Sequence, residues 1–88
     1  MATIEKKILP EYFDAVASGK KKFELRMNEF EAKEGDTFLM REWDPVKKEY
    51  TGRQLEKKIT YARVFKIDEL YWPVEEIMQK GLLILSLE

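Results

Sequence analysis

Neither cysteine nor histidine occurs in these 88 residues, and that double absence limits what the chain can fold into more than any other feature. No disulfide can staple it, and no zinc site of the common Cys/His kinds can organise it. Stability has to come from burying side chains, and a chain of this length hides only roughly 60–65% of the surface its unfolded form exposes. One domain spanning residues 1–88, with one modest core, is what such a chain supports. An apolar content of 44%, with 12% aromatic residues, suffices for that core and lies well above the composition of disordered chains. The same absence removes cysteine nucleophiles and His-dependent triads, leaving Lys, Arg, Asp, Glu, Thr, Ser and Tyr to do any chemistry. No carboxylates fall at the spacing of a calcium loop, so neither a metal nor a cofactor is expected.

The longest apolar run, Leu82 to Leu85, is strand-sized and far short of the roughly 18–20 residues that cross a bilayer. The first residues carry charge before any apolar segment and offer no cleavage site. A cytoplasmic protein without membrane association is the expectation. Net charge is -1, but its distribution is uneven. Residues 1–35 carry seven bases and seven acids, residues 36–66 eight bases and five acids, and residues 67–88 one base and five acids. One face can therefore be basic although the whole molecule is not.

Periodicity divides the chain into short elements. Thr3 to Leu9 reads as a first strand. Pro10 suits the first residue of a helix, Phe13, Val16 and Ala17 share one face, and Gly19 supplies the C-cap, predicting a helix over Pro10 to Ser18. Lys22 to Asn28 alternates, with Phe23, Leu25 and Met27 on one side and Lys22, Glu24, Arg26 and Asn28 on the other, as in a half-buried strand. After a Gly35-Asp36 turn, Thr37 to Trp43 forms the next strand. Asp44-Pro45 opens a connection that closes near Thr51-Gly52, and Gln54 to Ile67 is a long strand. Asp68 caps a short turn, and Pro73, Val74, Ile77 and Met78 predict a second helix stopped by Gly81. Tyr71-Trp72-Pro73 reads as a packing corner against Leu82 to Leu87, a strand buried on both faces. The expected order is β-α-β-β-β-α-β, an α+β chain. Closing five or six such strands into a small barrel, flanked by one or two short helices, would remove the exposed sheet edges.

Gly19 to Arg26, reading G-K-K-K-F-E-L-R, is the stretch most suited to function. Glu24 and Arg26 share a strand face two residues apart, Lys21 lies at the helix-to-strand junction, and Gly19 permits a sharp turn. Two cations beside one carboxylate can hold a phosphate or a nucleobase edge, the cations donating and the carboxylate accepting from an amino group. The same charges also suit an ordinary solvated strand face. Arg41-Glu42-Trp43-Asp44-Pro45 comes next. Trp43 either stacks on a base or plugs a barrel end, while Arg41 can reach a phosphate and Arg53 can extend a basic rim. Tyr50 is read as a packing residue. Lys57, Lys58, Arg63 and Lys66 divide between two strand faces and suit solvation.

The order Gly19-x-Lys21-x-x-Glu24-x-Arg26, between a first helix and a strand, resembles the G-x-K-x-x-E-x-R signature of ASCH domains in the PUA-like superfamily. From Lys7 through Arg53 the chain is similar to a bacterial and phage branch of uncharacterised function, including K-I-L-P-E-Y-F, the Gly35-Asp36 turn, R-E-W-D-P and Y-T-G-R. The resemblance implies a small PUA-like barrel that binds RNA or a modified nucleoside beside Gly19, Lys21, Glu24 and Arg26. Some small bacterial ASCH proteins are amidohydrolases of an acetylated cytidine that use a Lys, a Thr and a later Glu. Here Lys21 matches the Lys, but Glu24 stands where the Thr belongs and no later Glu aligns. The expectation is a binding module, with Lys21 and Glu24 the catalytic candidates if it is instead a hydrolase. A third reading is a protein-interaction domain that uses its acidic C-terminal third.

Overall fold

The computed structural model describes residues 1–87. Strand β1 (Thr3–Ile8) leads through helix α1 (Pro10–Ala17) to strand β2 (Thr37–Asp44), which turns into strand β3 (Glu49–Lys58). A 3-10 turn at Ile67–Glu69 and helix α2 (Val74–Lys80) follow. The sheet has three strands in the order β1-β2-β3. β1 runs parallel to β2, with Thr3 beside Thr37 and Ile8 beside Glu42. β3 runs antiparallel to β2, from Asp44 beside Glu49 to Thr37 beside Lys58.

Helix α1 begins at Pro10, whose missing N–H is not needed in a first turn, and Glu11 lies there favourably for the helix dipole. Its apolar residues Phe13 and Val16 are buried against Ile8, Phe38 and Met40, forming the core. Ile4, Phe30, Leu55 and Ile59 close around that cluster. The even-numbered residues of β2 therefore face inward, while Leu39, Arg41 and Trp43 lie on the opposite, half-exposed face. Asp36 fastens the start of the sheet: its carboxylate accepts from the backbone N–H of Ala2 (3.0 Å) and of Lys33 (3.1 Å). Those two bonds hold its carboxyl below the usual range.

The barrel expectation is overturned: the sheet is open, mixed and three-stranded, with β1 and β3 at its edges. Three of the expected pairings are missing. Among the described residues, 22–28 join no strand of the sheet, and the expected alternation breaks down in the middle: Leu25 (72%) and Met27 (74%) are exposed, whereas Phe23, Glu24 and Arg26 are half-buried. Ion pairing orients this segment where no neighbouring sheet is present to take up its apolar side. The long strand ends at Lys58 because its partner β2 starts at Thr37; Ile59 makes the last paired contacts, with Gly35 and Asp36. Leu82 to Leu87, expected to be buried on both faces, form no strand and are largely exposed. Tyr71 and Trp72 meet edge to face at 6.2 Å but stay on the surface. Helix α2 does form, between Pro73 and Gly81, and buries only Ile77.

Candidate functional site

The end of α1 sets up a groove. Gly19 adopts φ +83°, a left-handed conformation that reverses the chain without steric penalty. The Gly19 N–H donates to Val16 and the Lys21 N–H returns to the Ala15 carbonyl at 2.9 Å. The Lys21 ammonium then donates to the Phe23 carbonyl and to Glu24 Oε1, both at 2.9 Å. Glu24 Oε2 accepts from Arg26 Nε at 2.8 Å, and Arg26 Nη2 donates to the Lys7 carbonyl at 2.9 Å. A groove of about 440 Å³ opens among Lys21, Phe23, Glu24, Arg26, Tyr12, the end of β1 at Lys7 and Ile8, and the following Leu9.

Lys21, Glu24 and Arg26 thus converge. Their side chains are 17%, 22% and 28% exposed, half-withdrawn from water rather than splayed into it. Two cations around one carboxylate leave a local charge of +1. An ammonium has three donors and a guanidinium five, so this network leaves N–H groups for a ligand. The Lys21 ammonium also lies 4.8 Å from the Phe23 ring centre and 5.7 Å from that of Tyr12, giving the groove aromatic walls beside its charge.

The remaining candidates lie elsewhere. Gly19 lines a separate depression of about 420 Å³ with Ser18, Lys20, Lys22 and Ser86, so its contribution to the groove is the chain reversal. Arg41 and Trp43 occupy the half-exposed face of the sheet. Arg41 pairs with Glu5 at 3.2 Å and lies 3.8 Å from the Tyr50 ring centre, and Trp43 meets Tyr50 edge-on at 5.0 Å. Trp43 plugs no barrel, and Tyr50 remains partly exposed. Arg53 is on the other face, 4.4 Å from the Phe13 ring centre, and pairs with Asp14 and Glu42. Neither arginine lines the groove.

Glu42 is the charged residue that sequence reasoning passed over. It is 3% exposed, continuing the inward series of Phe38 and Met40. Between Arg41, which faces Gln54, and Trp43, which faces Tyr50, the single residue Glu42 is opposed by Thr51, Gly52 and Arg53. Gly52, at φ +96°, makes this bulge inside β3, so the connection opened by Asp44-Pro45 closes before Glu49 and not near Thr51-Gly52 as expected. Thr51 and Arg53 close on the buried carboxylate from both sides of the bulge. The Thr51 hydroxyl donates to it at 2.6 Å, and Arg53 donates through both Nε and Nη2. These bonds hold the Glu42 carboxyl down at about 2, against the opposing cost of burial. The actual hairpin turn is held by Asp44, which accepts from the N–H groups of Val46 and Lys47. Of R-E-W-D-P only Glu42 enters this network, and of Y-T-G-R only Thr51 and Arg53 do so, around the Gly52 bulge. An inward-facing Glu at the end of a Phe-x-Met-x-Glu alternation was the available signal.

Among the described residues, no group of three or more acidic, His or Cys side chains is placed to hold a metal ion. No helix among them is long and apolar enough to cross a membrane. No curated protein and no solved structure matches the chain. Residues 3–74, from β1 to the first residue of α2, match one family, and the chain belongs to it: the domain of unknown function DUF3850.

Proposed function

We propose that the groove beside α1 binds a nucleotide or the nucleotide units of RNA. The observation that carries this reading is the convergence of Lys21 and Arg26 on Glu24 between aromatic walls. The donors suit a phosphate or a base carbonyl, Glu24 suits an exocyclic amino group, and Tyr12 or Phe23 suits a base face. Its volume lies within the roughly 300–1,000 Å³ common to small-molecule sites. The resemblance to ASCH domains supports the same choice of ligand. Binding is favoured over hydrolysis because no Ser or Thr is among the groove's lining residues, so no aliphatic hydroxyl stands there to attack an amide. Incubation with acetylated cytidine should accordingly leave the compound intact.

Titration against single-stranded and structured RNA at rising salt tests the proposal, because phosphate contacts make affinity fall with salt. Lys21→Ala and Arg26→Ala should each weaken binding about tenfold or more in protein that remains folded. A second reading is favoured by the exposed Tyr71, Met78, Leu83, Leu85 and Leu87, set among acidic residues. Such a surface suits a protein partner. Co-purification of a protein that is released by Leu83→Ser with Leu85→Ser would favour that reading.

A further inference from the structure

The half-exposed face of the sheet carries a second cluster of cations and aromatic rings, contributed by all three strands. Lys7 sits beside Arg41 across the β1–β2 pairing, and Trp43 sits beside Tyr50 across the β2–β3 pairing. The Lys7 ammonium is 3.7 Å from the Trp43 ring centre and 5.8 Å from that of Tyr50, and Arg41 lies 3.8 Å from Tyr50. Core formation does not explain this face, because α1 packs on the other one. Arg41 has Glu5 as an ion-pair partner, whereas no ion pair to Lys7 is found among the described residues. Lys7 also joins the two surfaces: it lines the groove, and its carbonyl receives Arg26.

We infer that this face continues the groove as a stacking track for single-stranded RNA, with the strand passing over Lys7 from the Lys21–Glu24–Arg26 site to Trp43 and Tyr50. The inference rests on the groove's proposed role and extends it from one nucleotide to about three. Lys7 is suited to the crossing. Its ammonium can swing on a flexible stem from the Trp43 ring to a backbone phosphate, leaving the indole to a base. Arg41, held against Tyr50, extends the flat surface for the next base, as guanidinium planes do in single-strand recognition. Such stacking accepts any base, because every base presents a π face. Lys7 and Arg41 against Glu5 leave this face with a charge of +1, complementary to a phosphate chain. One stacked base contributes roughly five- to 140-fold in affinity.

Fluorescence titration separates the track from the groove. The chain has two tryptophans, so Trp72→Phe leaves Trp43 as the reporter. Uridine monophosphate, a uridine trinucleotide and the matching deoxy-trinucleotide are titrated at low salt. The expected results are a trinucleotide bound at least tenfold more tightly than the monophosphate, and quenching of Trp43 by the trinucleotide. In Trp43→Leu, and independently in Arg41→Met, that ratio should fall toward one in protein that unfolds at the parental temperature. Lys21→Ala should weaken both ligands. Monophosphate binding with no gain from length, or a ratio unchanged in both track variants, overturns the track and leaves the groove standing. Trinucleotide binding that depends on Trp43 but not on Lys21 overturns the groove and retains the stacking face. No binding of either ligand overturns both. A deoxy-trinucleotide bound tenfold more tightly than the ribo form overturns the choice of RNA, and quenching by a co-purified protein alone assigns the face to a protein partner.

Discussion

Residues 2–59 and residues 60–87 carry similar kinds of apolar side chain but use them differently. In the first region Phe13, Val16, Phe38 and Met40 face one another across α1 and the sheet, and each is buried. In the second, Tyr61, Val64, Phe65, Leu83 and Leu85 are more than half exposed, and only Ile77 is buried. The difference lies in pairing rather than composition. β1, β2 and β3 satisfy one another's backbone groups and so present a continuous surface that α1 can cover. Residues 60–66 extend past the end of β2 and find no ladder to join. These residues add no strand to the surface that α1 covers, and their apolar side chains stay largely outside the core. The groove belongs to the first region: the end of β1 and the cap of α1 fix it, and residues 82–87 line none of it.

The largest effect should come from emptying the packed region. Met40 is 1% exposed, and Met40→Ala should cost about 2–5 kcal/mol in chemical denaturation. Leu83→Ser, at a residue 85% exposed, should change stability by no more than about 0.5 kcal/mol. Equal losses from the two substitutions would break the contrast between the regions.

Glu42 gives the next test. Its carboxyl is held at about 2, below the ordinary 4.5. Because the folded form binds its proton less readily, the associated stability is fully present above about 4.5 and is lost as pH falls toward 2. The Asp36 carboxyl, also lowered, contributes in the same direction. Glu42→Gln turns an amide donor toward Arg53 in place of an acceptor. It should lower the melting temperature at pH 7 and flatten, without abolishing, the decline below pH 4.5. A melting curve that keeps the full acid-induced decline would remove Glu42 from that account.

Gly52→Ala should have a smaller effect, about 1–2 kcal/mol, because φ +96° disfavours any side chain while the space around the site is open. A loss near zero would show that the bulge relaxes easily.

The elements legible in the sequence are those whose signals are local. Pro10, the Phe13/Val16 spacing and Gly19 together mark α1 to within a residue, and Pro73 and Gly81 bracket α2. The alternation from Thr37 to Trp43 marks β2. Strand pairing is not local, so alternation at 22–28 and an apolar run at 82–87 looked like strands, although among the described residues neither joins the sheet and the Lys22 N–H meets the run through the Ser86 hydroxyl at 3.0 Å. Thr51-Gly52 was misread because a bulge and a turn ask the same conformation of glycine. In the candidate site, the Gly19-x-Lys21-x-x-Glu24-x-Arg26 order pointed to Lys21, Glu24 and Arg26, which do converge, but through an ion-pair network rather than a shared strand face, while Gly19 lines a separate depression. Arg41, Trp43 and Arg53 could not be placed without knowing which face of the sheet α1 covers.

The central claim is that the ligand binds at Lys21, Glu24 and Arg26, and RNA titration of four proteins tests it most directly: the parent, Lys21→Ala, Arg26→Ala and Leu83→Ser. The account predicts binding by the parent that weakens as salt rises, losses of about tenfold or more in the two groove variants, and parental affinity for Leu83→Ser. A parent that binds no RNA at low salt, or folded Lys21→Ala and Arg26→Ala proteins that bind as the parent does, would contradict it.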